Sequence, residues 1–189
     1  MSKKPALIIV HGPSATGKTI LAERLSKKFS LPLISKDGFK EIMFDVLGWE
    51  DLNFNKKLGQ ASFELLWYAA RQLLKAGDSL IVETKFESKM ASEHIKKLSA
   101  ELEFNTLQIL CFADGKELVK RFVHRDSTDR HPGHKDVEQI DAYRESLLAG
   151  READIEIDGQ TIEVDTTDFS EVDYEAIDRA VSKVAEGNS

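Results

Sequence analysis

No disulfide framework can be built from this sequence, because its only cysteine is Cys111, inside the apolar run Leu107–Phe112. A solitary thiol fits a reducing compartment, and within a strand it reads as a small buried hydrophobe rather than a nucleophile. Long apolar runs are missing too. Behind the basic start Met1-Ser2-Lys3-Lys4-Pro5 the apolar stretch is only Ala6–Val10, too short for a signal-peptide core and far too short to span a bilayer. The expectation is a soluble, cytoplasmic protein without a membrane segment. Positive charge is in deficit: 26 Lys and Arg stand against 33 Asp and Glu, for a net charge of -7. A protein that lives on nucleic-acid phosphates shows the opposite balance, so nucleic acid is disfavoured as a partner, although a local basic groove remains compatible with these totals.

What is present suits one globular domain over residues 1–189: 41% hydrophobic and 31% charged residues, with no repeat, low-complexity tract or linker. Strand-length apolar runs alternate with segments of helical period. Ala6–Val10, Pro32–Ser35, Ser79–Val82 and Thr106–Phe112 read as strands, the first with the β-branched composition of a strand buried on both faces. Thr161–Asp165 reads as a fifth, with a hairpin to Ile155–Ile157 around Asp158-Gly159 as an option. Helical spacing joins Leu21, Leu25 and Phe29; Phe63, Leu66, Trp67, Ala70 and Leu74, ended by Gly77; Ile95, Leu98 and Leu102; Leu118 and Phe122; and Ile177, Val181 and Val184. Such alternation implies βαβ units and a parallel sheet covered by helices on both faces.

The most specific feature is Gly12-Pro13-Ser14-Ala15-Thr16-Gly17-Lys18-Thr19, which follows the first strand and opens a helix. This is the Gly-x-x-x-x-Gly-Lys-Thr phosphate-binding loop in its proper context. Gly12 and Gly17 permit a tight turn and close approach of the backbone to phosphate, and successive N–H groups then converge on the anion. Lys18 supplies charge near the β- and γ-phosphates of a nucleoside triphosphate, and the Thr19 hydroxyl suits the accompanying Mg²⁺. His11, just before the loop, reads as packing.

Phosphoryl transfer calls for clamped phosphates, a metal, an oriented nucleophile and cations over the moving group. Asp37, after the second strand, is placed to serve as general base, although Asp before Gly is also an ordinary turn and a good helix cap. Glu83 ends the third strand and is a candidate to hold the metal through water; a satisfied charge at a strand end is the alternative. Arg121 and Arg125 lie one helical turn apart, and Arg130 follows in the charged stretch around Asp126–Lys135, which reads as a mobile lid of about residues 126–140. Arginine suits the task because its fork pairs bidentately with phosphate, while surface ion pairs with Asp126 and Asp129 are the alternative. His131 and His134 flank Pro132-Gly133, which breaks regular helix, and with no cysteine beside them a zinc site is not expected.

Taken with Ile34-Ser35-Lys36-Asp37 and Arg130-His131-Pro132-Gly133-His134, these motifs resemble a family of small bacterial P-loop kinases often described as AAA-type ATPases. They are similar to chloramphenicol phosphotransferase, zeta toxins, gluconate and shikimate kinases and the kinase domain of polynucleotide kinase. The likeness covers nearly the whole chain. It implies a three-layer α/β/α P-loop NTPase fold with a five-stranded parallel sheet and an arginine-bearing lid. It also implies Asp37 as base, Arg125 and Arg130 on phosphates, and Arg121 against adenine, with Val164-Asp165-Thr166-Thr167 as the last strand and adenine-side loop. One departure is Lys40, where the polynucleotide kinases carry an arginine; lysine keeps the charge and loses the bidentate geometry.

The expectation is therefore an ATP- and Mg²⁺-dependent transfer of the γ-phosphate to a hydroxyl of a small molecule. The rivals are a 5′-hydroxyl polynucleotide kinase and a nucleotide-binding switch without an acceptor. Phe39, Phe44, Trp49, Trp67, Tyr68 and Phe86 are candidates to line the acceptor pocket, with Trp67 placed better in the core. Acceptor identity and oligomeric state are not legible.

Overall fold

The computed structural model describes residues 4–49, 51–126, 131–134 and 140–186. The chain begins with β1 (Ala6–His11), all six residues of which are buried. After the phosphate loop come α1 (Lys18–Phe29), β2 (Leu33–Ser35), α2 (Lys36–Leu47), α3 (Leu52–Ala76) and β3 (Leu80–Glu83). The second half runs through α4 (Ser88–Glu101), β4 (Asn105–Phe112), α5 (Gly115–Asp126), α6 (Ile140–Ala149), β5 (Gln160–Asp165) and α7 (Tyr174–Glu186). The strands form one all-parallel sheet in the order β2-β3-β1-β4-β5, the expected α/β architecture.

Alternation along β1 decides which helices cover which face. Leu7 and Ile9 face α3 and α4, joining Leu66, Trp67, Leu80, Val82 and Ile95 in one core. Ile8 and Val10 face α1 and α7, joining Leu25, Ile109, Cys111 and Val181 in the other. Cys111 is wholly buried there, and burial pushes its thiol up to about 12, so it is the inert core residue expected from the sequence. A smaller cluster of Ala113, Leu118, Phe122 and Leu147 holds α5 to α6.

Two helices have no counterpart in the sequence reading. Asp37-Gly38 looks like a turn, yet both residues lie in the first turn of α2, because Ser35 serves as its N-cap with Oγ accepting from the Gly38 N–H. The second is α6. The proposed hairpin is absent: β5 pairs only with β4, in parallel, and Ile155 lies outside any strand, its N–H donating to Oε1 of the buried Gln108 at 2.9 Å. Gln108 supplies the partner that a hairpin would have provided, so no second strand forms there. The end of α3 at Gly77, in the left-handed region at φ 90°, agrees with the sequence.

β1 lies between β3 and β4: from β1 the chain runs out to β2 and back to β3, then crosses β1 to β4 and on to β5, so the strand order reverses beside β1. Ligands gather at such a switch point, outside the carboxyl ends of the strands.

Candidate active site

The loop after β1 sits at this switch point. Gly12 adopts φ 142°, and a Cβ there would stand 2.0 Å from the Cys111 carbonyl oxygen, so no other residue fits against β4. Gly17 at φ 78° and Ala15 at φ 67° complete the curl. The Thr16 hydroxyl donates to the Pro13 carbonyl at 3.0 Å, closing the loop on itself. The N-terminus of α1 has neither a side-chain cap nor an acid in its first turn. Its free N–H groups and positive dipole end are therefore left for an anion from outside the chain.

Lys18 is buried, and its Nζ donates to the Pro13 carbonyl at 2.7 Å. Burial holds its pKa below the usual lysine value, with Glu83 pulling the other way. A buried ammonium against an uncapped helix start fits a phosphate chain. Thr19 is exposed at the start of α1 and opens onto the same cavity.

That cavity, of about 310 Å³, joins the phosphate loop to the other chemically suited groups. Ser14, Lys18 and Thr19 form one side; Asp37 enters from the first turn of α2, Glu83 from the end of β3, and Arg125 from α5. Glu83 is buried, and its Oε2 accepts a hydrogen bond from Ser35 Oγ at 3.1 Å, so one hydroxyl both caps α2 and steadies the acid. Arg125 lies 4.6 Å over the Phe122 ring. The far wall is built by Lys36, Lys40, Asn55, Lys56 and Gly59, and Lys85 enters after β3. Among the described residues no group of three or more His, Cys, Asp or Glu is gathered as a metal cage.

Arg121 and Thr166 are placed elsewhere. Arg121 donates to the Thr166 carbonyl at 2.8 Å and the Thr167 carbonyl at 2.7 Å, and stacks 4.3 Å over Phe169. The Thr166 hydroxyl donates to the Phe112 carbonyl. Both residues thus tie the segment after β5 to α5 and β4, beside a second, mainly apolar groove of about 210 Å³ that runs past Gly17 to Phe169 and Tyr174. Phe169 presses on the phosphate loop: a Cβ on Gly17 would meet its ring at 2.7 Å.

Arg130 lies outside the described residues, as do 127–129 and 135–139 of the expected lid. The part that is described, His131–His134, is docked. Asn55 Nδ2 donates to the Gly133 carbonyl at 2.6 Å, His134 Nε2 lies 2.8 Å from Glu41, and His131 stacks on Phe44 at 5.2 Å with Asp45 at 3.2 Å. The two histidines serve separate contacts on α2.

None of the six aromatic residues suggested for the acceptor pocket lines this cavity. Phe44, Trp67 and Phe86 are buried, Phe39 packs on the core, Trp49 meets His131, and Tyr68 is exposed on α3. Large apolar rings won their places by burial, and the aromatic walls are Phe122 and Tyr143 instead. The contributions of Asn55, Lys56, Lys85 and Tyr143 were not foreseen; no local motif marks them. Lys36 had a signal, its position beside Asp37.

A parallel sheet carrying such a loop at its switch point, with carboxylates and an arginine around one cavity, defines a P-loop nucleotide-binding protein of kinase type. The model of the AAA domain family matches residues 7–149, and the chain belongs to that family. It is similar over its full length to the "putative kinase" of Chloroflexus aurantiacus J-10-fl, with 35% identity, all of both chains covered and a TM-score of 0.86. The fold is shared with a sugar kinase from Janibacter sp. HTCC2649, at 16% identity, 98% of each chain covered and a TM-score of 0.58. It is shared also with a gluconokinase from Sinorhizobium meliloti 1021, at 17% identity, 97% of this chain and 95% of that one covered, and a TM-score of 0.52. No protein of curated function matches the chain. Among the described residues no helix is long and apolar enough to cross a membrane.

Proposed function

We propose that the protein transfers the γ-phosphoryl group of ATP, with Mg²⁺, to a hydroxyl of a small-molecule acceptor. The observation that carries this reading is the single cavity that Lys18, Thr19, Asp37, Glu83 and Arg125 share. The phosphate loop and the uncapped start of α1 bind the triphosphate. Lys18 neutralises charge on its β- and γ-oxygens, and these anions offset the desolvation of its buried ammonium. Thr19, with Glu83 acting through water, would hold a Mg²⁺ that arrives with the nucleotide, and the ion would offset negative charge on the phosphates. Arg125 reaches the transferring group from α5, and Arg130 is proposed to join it from the lid.

Asp37 accepts the proton of the acceptor hydroxyl. The hydroxyl oxygen forms a bond to the γ-phosphorus, the bond to the β,γ-bridging oxygen breaks, and ADP leaves with that electron pair. Arg121, Phe169 and the segment after β5 stand beside Gly17, which suits them to border the base. A guanidinium stacked on an aromatic ring offers a flat surface to it.

The Asp37→Asn variant tests the reading. Transfer to an acceptor should fall by a factor of about 10² to 10⁴, while calorimetric binding of Mg–ATP stays near that of the unaltered protein. If transfer is indifferent to this change, the base assignment fails; if Mg–ATP binds and no acceptor hydroxyl is phosphorylated, a nucleotide-driven switch is the better account.

A further inference from the structure

A nucleoside whose triphosphate sits in the phosphate loop has to lie beside that loop, and the apolar groove that starts at Gly17 has room for it. Two large apolar side chains of this groove are left uncovered. Ile20, in the first turn of α1, is 72% exposed, and Phe169, in the turn after β5, is 41% exposed. Bare apolar groups lining a concave space suit a flat aromatic partner. The Phe169 ring is held ready for one: it packs against Gly17, lies under the Arg121 guanidinium, and belongs to a turn capped by Asp168 through the Ser170 N–H.

Adenine and guanine present similar faces and opposite edges. Where adenine carries an amino donor, guanine carries a carbonyl acceptor, so a carbonyl fixed beside that edge favours the first and repels the second. The carbonyls after β5 are turned to another use. Arg121 donates to those of Thr166 and Thr167, and its Nε donates to Glu117 at 3.1 Å. A carbonyl already accepting from a guanidinium is a poorer acceptor for a second donor. The Thr166 N–H and hydroxyl both donate to the Phe112 carbonyl. Along the groove, Arg24 is engaged with Asp178 in a bidentate pair at 2.6 Å. The Tyr174 hydroxyl also lines the groove; it both donates and accepts, so it meets an amino group or a carbonyl equally.

We propose that the phosphoryl donor is a purine nucleoside triphosphate gripped by the faces of its base and not by its edge, so that GTP serves beside ATP. Phe169 is the residue that sets this tolerance: a ring stacks on any base, because every base has a π-face. The inference rests on the phosphotransferase reading above and widens its donor, leaving the transfer step unchanged.

The test is calorimetry on the full chain with Mg²⁺ and three probes: the β,γ-imido analogues of ATP and of GTP, and inorganic tripolyphosphate. A site that read the edge would separate the two analogues by orders of magnitude; here they should bind within about tenfold of each other. Phe169→Leu keeps apolar bulk against Gly17 and removes the flat face. It should weaken both analogues by the same factor, about five- to tenfold, and leave tripolyphosphate unchanged. The proposal is overturned if either analogue is favoured more strongly than that, or if neither binds. It is overturned equally if Phe169→Leu shifts their ratio, weakens tripolyphosphate as much as the nucleotides, or alters nothing. Failure of the phosphotransferase reading leaves a different trace. Both analogues would still bind alike, but release of ADP and GDP from the parent triphosphates would be the same in Asp37→Asn as in the unaltered protein.

Discussion

Lys18 sets stability and binding against each other within one side chain. Burial depresses its pKa despite Glu83, so desolvation outweighs that attraction. Between the depressed value and 10.5 the unfolded chain holds the proton more tightly than the folded one. Stability therefore rises with pH through that window, and at neutral pH the buried charge is a cost. Lys18→Met keeps the stem and removes the buried charge, so the free protein should melt no lower than the unaltered one and lose its heat of binding to Mg–ATP. Thermal melting and calorimetry together check this; a lower melting temperature with binding intact would contradict it. His11 makes the matching case on the acid side. It is wholly buried and its pKa is pushed down to about 4, by burial first and then by Lys18. Neither ring nitrogen has a hydrogen-bond partner among the described residues, the nearby Gln108 amide being committed to Thr161, Asp154 and Ile155. Its contribution is intact above pH 6.5 and is lost as pH falls toward 4. Between pH 7 and 4.5 the unaltered protein should lose about 2–3 kcal/mol more than His11→Gln, as read from denaturant midpoints of the two.

At the scale of elements, the turn at His131–His134 is docked on α2 and α3, and the buried Asn55 is central to that docking. Asn55→Ala removes the donor to the Gly133 carbonyl, a loss of about 1–3 kcal/mol for a buried polar group. The damage should be local: amide exchange at residues 133–134 accelerates, while that of β1 and β4 stays unchanged. Uniform acceleration would mean that Asn55 supports the whole fold instead. This docking was not legible in the sequence, where the charged stretch with Pro132-Gly133 reads as a free lid; the partners lie on α2 and α3, some eighty residues away in the chain. Strands were readable for the opposite reason. In a sheet covered on both faces the run Ala6–Val10 of β1 is apolar throughout, which leaves a local mark. The second helix hid behind Asp37-Gly38, because the residue that caps it, Ser35, also belongs to the preceding strand.

Across the molecule, the two halves of the cavity differ in how openly the sequence announces them. The phosphate loop is a continuous motif whose glycines are fixed by backbone demands such as the 2.0 Å approach at Gly12, so it could be read without any tertiary information. Asp37 and Glu83 were foreseeable as strand-end acids at the carboxyl edge of a parallel sheet. On the facing wall only Lys36 and Lys40 had a sequence signal, their nearness to Asp37; Lys56 is an ordinary surface residue until α2 folds against α3. That wall nonetheless comes from one unbroken segment, residues 36–59, inserted between β2 and β3. It shares no strand with the loop that follows β1. That face of the cavity is therefore a cassette, able to change within one stretch of chain while the nucleotide grip stays under its own, separate constraints.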